Sequence, residues 1–73
     1  MENIKIRPHG DKYFVKPHSN GWAVACKRSS IVSYFYDEKD KAINTAKSLA
    51  IENHADVDIQ NSDGSIEITL SFR

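Results

Sequence analysis

One cysteine, two prolines and three glycines are all that this 73-residue chain carries of those residue types. A single thiol, Cys26, excludes an internal disulfide. With so little Pro and Gly, no flexible linker divides the chain, and one domain over residues 1–73 is expected. No apolar run approaches the roughly 18 residues that a membrane helix needs. The amino terminus lacks the pattern of a secretory signal, so the expected location is the cytoplasm. Net charge is absent as well: ten Lys and Arg stand against ten Asp and Glu. The whole-chain basicity that marks many nucleic-acid binders is therefore missing. Shortness excludes most. A chain this small buries only about 60 % of its unfolded surface, which leaves little room for an enclosed enzyme pocket.

What is present starts with one helix. From Asp37 to about His54 the apolar residues Ala42, Ile43, Ala46, Leu49 and Ala50, with Asn53 completing the row, form an amphipathic stripe. Asp37 occupies the expected N-cap position, Asp40 supports it from the third helical position, and Asn53-His54 closes the helix. Three strands are predicted before the helix. Residues 13–17 and 22–27 flank the turn His18-Ser19-Asn20-Gly21, and Ile31–Tyr36 follows a turn at Arg28-Ser29-Ser30. Two more strands follow the helix, 56–60 and 65–72, around Asn61-Ser62-Asp63-Gly64. Residues 3–7 alternate and predict an extra amino-terminal strand before the turn Pro8-His9-Gly10-Asp11. The motif Ile6-Arg7-Pro8-His9 is echoed by Val15-Lys16-Pro17-His18, which reads as two turns of the same chemistry. The expected fold is α+β: an antiparallel sheet of about five strands packed on one helix, in the order β-β-β-α-β-β.

A hairpin closed by residues 18–21 sets Pro17 opposite Trp22, Val15 opposite Val24 and Tyr13 opposite Cys26, and opposed residues share a face. Continuing that register across the next turn places Ile31, Ser33 and Phe35 on the same, helix-facing side. The outer face would then hold Phe14, Lys16, Ala23, Ala25, Lys27, Val32, Tyr34 and Tyr36. On the last two strands Val57 and Ile59, and Ile66, Ile68, Leu70 and Phe72, should point inward, with Asp56 and Asp58 toward solvent.

Three stretches occur in order at fixed separations: Val15-x-Pro17 with Gly21-Trp22-Ala23-Val24, then Lys39-x-x-Ala42-x-x-x-Ala46-x-x-x-Ala50, then Val57-x-Ile59 with Asp63-Gly64-x-Ile66. Over about residues 13–66 the chain resembles a family of small bacterial and phage proteins known as domain of unknown function 2188. The resemblance implies a compact sheet-plus-helix unit and no established activity. The chain departs from the family where Glu38 replaces a usual Thr and Ile31 a usual Arg, and where Gln60 and Ser62 replace a His and an Arg. Those are positions suited to phosphate, so their loss weakens that reading here. Residues 1–12 and the end after Glu67 look particular to this chain.

No constellation of side chains points to catalysis, a cofactor or a metal. His9, His18 and His54 are scattered. Cys26 alternates with core residues and reads as a structural thiol. Asp56, Asp58 and Asp63 lack the Gly and terminal Glu of a calcium loop. The predicted outer face offers two uses. Its aromatic residues Phe14, Tyr34 and Tyr36 suit contact with a protein partner or a second copy. Combined with Lys16, Lys27 and Arg28, the same aromatics suit stacking and phosphate neutralisation on nucleic acid. Residues 1–36 favour the second use, with Lys5, Arg7, Lys12, Lys16, Lys27 and Arg28 against only Glu2 and Asp11. A sheet backed by one helix is also similar to the arm-binding domains of phage-type integrases, a likeness of fold alone. The expectation is a non-enzymatic binding protein of a bacterium or its phage, with protein contact first and nucleic acid as the alternative.

Overall fold

The computed structural model describes residues 12–27 and 32–72. The predicted strand at 3–7, the first Pro-His turn and Arg28 lie outside them. Five strands and one helix follow in the expected chain order: β1 (Lys12–His18), β2 (Gly21–Cys26), β3 (Val32–Tyr36), α1 (Lys39–Asn53), β4 (Asp56–Gln60) and β5 (Ile66–Ser71). Across the sheet the order is β3-β2-β1-β4-β5.

The sheet is mixed, which corrects the all-antiparallel expectation: β1 and β4 pair in parallel, Lys12 opposite Asp56 through Val15 opposite Ile59. The reason lies in counting reversals. β2 runs against β1, and β3 runs with it again. The 15-residue α1 rises about 22 Å, enough to carry the chain back along the whole sheet. β4 therefore starts at the end where β1 starts. The far side of β2 is already taken by β3, so β4 takes the free edge of β1, in parallel.

The first hairpin keeps the predicted register, with Val15 opposite Val24 and Pro17 opposite Trp22. Its two-residue turn places Ser19 at φ 51°. Gly21 is required where β2 leaves this turn. A Cβ there would collide with the Tyr36 carbonyl oxygen, with the Asp37 Cα only 3.3 Å away.

The second hairpin departs from its predicted register partway along. Ala25 pairs with Val32, as continuation across the turn requires, but Val24 pairs with Tyr34 and Trp22 with Tyr36. Ser33 is the extra residue of a β-bulge, and such an insertion reverses the alternation beyond it. Tyr34 and Tyr36 thus share the helix-facing side with Trp22 and Val24, and Phe35 turns to the opposite face. The predicted outer face of Phe14, Tyr34 and Tyr36 does not form. A second bulge occurs in the other edge strand: Ile59 pairs with Ile68 but Gln60 pairs with Ile66, leaving Glu67 as the extra residue. Ile66 is therefore out of the inward row in which it was expected, and it is 55 % exposed.

Helix α1 begins one residue later than predicted. Glu38, not Asp37, is the N-cap, and its side chain makes no capping hydrogen bond. The carboxyl-terminal end closes as expected without glycine. His54 adopts the left-handed conformation at φ 53°, and the Ala55 N–H donates to the Ala50 carbonyl across 2.9 Å, a Schellman-type closure. The stripe of Ala42, Ala46 and Ala50 is fully buried against Val15, Val24, Val57 and Ile59. Side chains this small bring helix and sheet close together, so enlarging Ala46 to Leu would cost about 1–3 kcal/mol by overpacking. Asn53 ends the row with its amide donating to the Tyr13 hydroxyl (3.0 Å) and to the Leu49 carbonyl (2.8 Å).

Asp56 and Asp58 are buried rather than solvent-facing. Asp58 accepts from the Thr69 hydroxyl at 2.6 Å and forms an ion pair with Lys12 at 3.2 Å. A charge taken out of water on a sheet face requires such partners.

Candidate functional site

The face turned away from α1 is built by alternation from Lys12, Phe14, Lys16 and His18 on β1, Ala23 and Ala25 on β2, Phe35 on β3, and Asp56 and Asp58 on β4. Its centre combines the half-buried Phe14 with small and charged side chains, and its most exposed aromatic lies on β3. Phe35 is 58 % exposed. The His18 ring lies against it, with centroids 4.7 Å apart and the planes tilted by 47°.

A shallow groove of about 380 Å³ opens at this end of the sheet, where the β1–β2 turn meets the junction of β3 and α1. His18, Gly21, Trp22, Phe35, Tyr36 and Asp37 line it. Alternation along β3 sets Phe35 and Tyr36 on opposite sides of the strand, and the bulge at Ser33 decides that Tyr36 takes the helix side and Phe35 the outer one. The sole Trp of the chain also carries a cation, since the Lys39 Nζ sits 4.8 Å from the Trp22 ring centroid. That ammonium is held in place from β5 by Glu67, at 2.8 Å. The bulge at Glu67 explains this contact, because the extra residue can reach the helix side of the sheet. Asp37, on the lip of the groove, is 78 % exposed and makes only a 3.4 Å contact with Lys41, one helical turn on.

The residues singled out from sequence are thus scattered. Phe14 and Lys16 do lie on the face away from the helix, both half-buried. Tyr36 is half-buried on the helix side, packed against the core, and Tyr34 shares that side at 42 % exposure on the sheet edge. Lys27 is exposed beyond the end of β2, and Arg28 lies outside the described residues. Sequence reasoning missed Phe35, His18 and Asp37. The only signal for them was the compact order of turn, strand and helix start, since the bulge that turns Phe35 outward has no mark in the sequence. Cys26 is half-exposed. Among the described residues no group of three His, Cys, Asp or Glu side chains is placed to hold a metal ion. No helix among them is long and apolar enough to cross a membrane.

These features define a small α+β domain with one helix on a five-stranded mixed sheet and an aromatic groove at one end. The chain belongs to the uncharacterized protein family conserved in bacteria called domain of unknown function 2188, whose model matches residues 13–72. The match begins one residue into β1 and ends just beyond β5, so the end after Glu67, expected to be particular to this chain, belongs to the family as well. No curated protein and no solved structure matches the chain.

Proposed function

We propose that this chain is a small non-enzymatic protein-binding module, acting in the cytoplasm of a bacterium or on behalf of its phage. Its partner docks at the groove end of the sheet. The observation that carries this reading is Phe35: a large aromatic ring, more than half exposed, in tilted contact with His18 beside an open groove. Exposed aromatic side chains of this kind are common anchors of protein interfaces. This site replaces the Phe14, Tyr34 and Tyr36 surface, whose members the bulge separates.

The nucleic-acid alternative has less support. Asp56 and Asp58 share a face with Lys16, and the Lys12 charge is committed to Asp58. The test is capture from the native host's lysate with immobilised wild type and Phe35→Ala, read by mass spectrometry. A protein retained by the wild type and lost from the variant is expected. Identical eluates from both baits would overturn the site. Light scattering of the purified protein tells a second copy apart from a foreign partner.

A further inference from the structure

We propose that the groove is a receptor for a guanidinium or ammonium side chain carried on a basic segment of the protein partner. This rests on the protein-binding reading above and adds the chemistry of what is bound.

Three observations lead to a cation. Half of the eight residues around the groove carry rings: Trp22, Phe35 and Tyr36, joined by the His18 imidazole. Aromatic faces attract cations through their quadrupole, at ring-centroid distances up to about 6 Å. The molecule shows this preference internally, for Lys39 places its ammonium 4.8 Å from the Trp22 centroid. Finally, a carboxylate stands at the lip. Asp37 lines the groove and is mostly exposed, and its contact with Lys41 is long and on the surface. Both partners are largely exposed, and a pair of this kind is weak, so Asp37 can be drawn to an incoming cation at little cost.

Charge around the groove supports the same occupant. Glu38 follows Asp37 and is exposed, and it does not spend its carboxylate on capping α1. Asp40 adds a further carboxylate in the first helical turn. On the opposing side, Lys39 is neutralised by Glu67 at 2.8 Å, and Lys41 is turned toward Asp37. The free carboxylates therefore outnumber the free cations at this corner among the described residues. An anionic ligand would meet this acidic lip, and an apolar one would gain nothing from it. A basic side chain suits both the exposed Phe35 and His18 rings and the Asp37 carboxylate. The groove volume lies within the roughly 300–1,000 Å³ typical of ligand sites.

Trp22 supplies the readout. Its fluorescence is followed as the full-length protein is titrated with a blocked Gly-Ser peptide bearing a central Arg-Lys-Arg. Peptides with Gln-Gln-Gln and Glu-Glu-Glu at the same place serve as controls. A saturable change with the basic peptide alone is expected, weakened about fivefold by Asp37→Asn or by Phe35→Ala. Both substitutions are at exposed positions, and circular dichroism checks that the variants are folded.

The cation assignment is overturned if the basic peptide gives no saturation at millimolar concentration, or if both variants bind it as well as the wild type does. It is overturned as well if the control peptides bind equally. In each of these cases a lysate partner that is lost on Phe35→Ala leaves the protein-binding reading standing. If that capture experiment fails too, both readings fall.

Discussion

The Thr45 hydroxyl donates to the Tyr36 hydroxyl oxygen across 2.6 Å, tying the middle of α1 to the last residue of β3. This contact exists only because the bulge at Ser33 turns Tyr36 toward the helix. A half-buried Tyr that both packs on the core and satisfies its hydroxyl is better placed there than Phe35 would be. Thr45→Val and Tyr36→Phe should each lower stability by about 1 kcal/mol. The double variant should lose less than the sum, because both changes remove one bond. Tyr34→Ser, on the exposed edge, should stay within about 0.5 kcal/mol of wild type. Urea unfolding measures all four, and a Tyr34→Ser loss larger than that of Tyr36→Phe would contradict the observed register.

Gly21 marks the closest approach of β2 to the β3–α1 junction. Gly21→Ala places a methyl against the Tyr36 carbonyl, which is backbone and cannot swing aside. A loss of about 1–3 kcal/mol is expected, together with altered Trp22 fluorescence from a shifted groove. A thermal melt within a degree of wild type would show that the approach is looser than described here.

The Lys12–Asp58 pair predicts an asymmetry. Asp58 is only 4 % exposed at its side chain, and Lys12 is 31 % exposed. Lys12→Met removes the charge but keeps the apolar stem, leaving a buried carboxylate with the Thr69 hydroxyl as its remaining partner. That should cost about 3 kcal/mol. In Asp58→Asn the ammonium can turn into water, and the Thr69 bond has an amide oxygen to accept it, so about 1 kcal/mol is expected. Denaturant midpoints that rank the two variants in the reverse order would exclude this account.

Asp63 caps the β4–β5 turn from an exposed position. The Ser65 hydroxyl donates to its carboxylate at 2.7 Å and the Ser65 backbone N–H at 2.9 Å. These two bonds, the hydroxyl first, hold the Asp63 pKa below its ordinary 3.8. A carboxyl with a depressed folded-state pKa contributes stability that is fully present above the unfolded value. That contribution is lost as pH falls from about 3.8 through the depressed value. In an NMR titration the Asp63 midpoint should lie below 3.8, and Ser65→Ala should move it partway back. An unmoved midpoint would remove the hydroxyl as the main cause.

Much of this fold was legible in local patterns. The helix announced itself through Ala42, Ala46 and Ala50, the first hairpin through the turn at residues 18–21, and the second through Asp63-Gly64, where Gly64 takes φ 90°. The closure of the helix at Asn53-His54 was readable too, though not the left-handed conformation that His54 adopts. The site was not legible. Phe35 and Tyr36 have equal strand propensity, and nothing in the segment Val32-Ser33-Tyr34-Phe35-Tyr36 says which ring points out. One inserted residue at Ser33 and another at Glu67 reverse the faces, and these bulges are set by what the strands must meet across the sheet.

By itself the sequence determined the kind and order of the elements, because turn chemistry and apolar periodicity act over a few neighbouring residues. It also determined which helix face is buried, because alanines at three- and four-residue spacing leave only one close-packing surface. Only the tertiary structure decided that β4 joins β1 in parallel, since that follows from the helix returning the chain to the end where β1 begins. Only the tertiary structure decided which aromatics are free to bind. Tyr36 is held inside by Thr45, 9 residues on, and Phe35 is left outside beside a groove that no single segment contains.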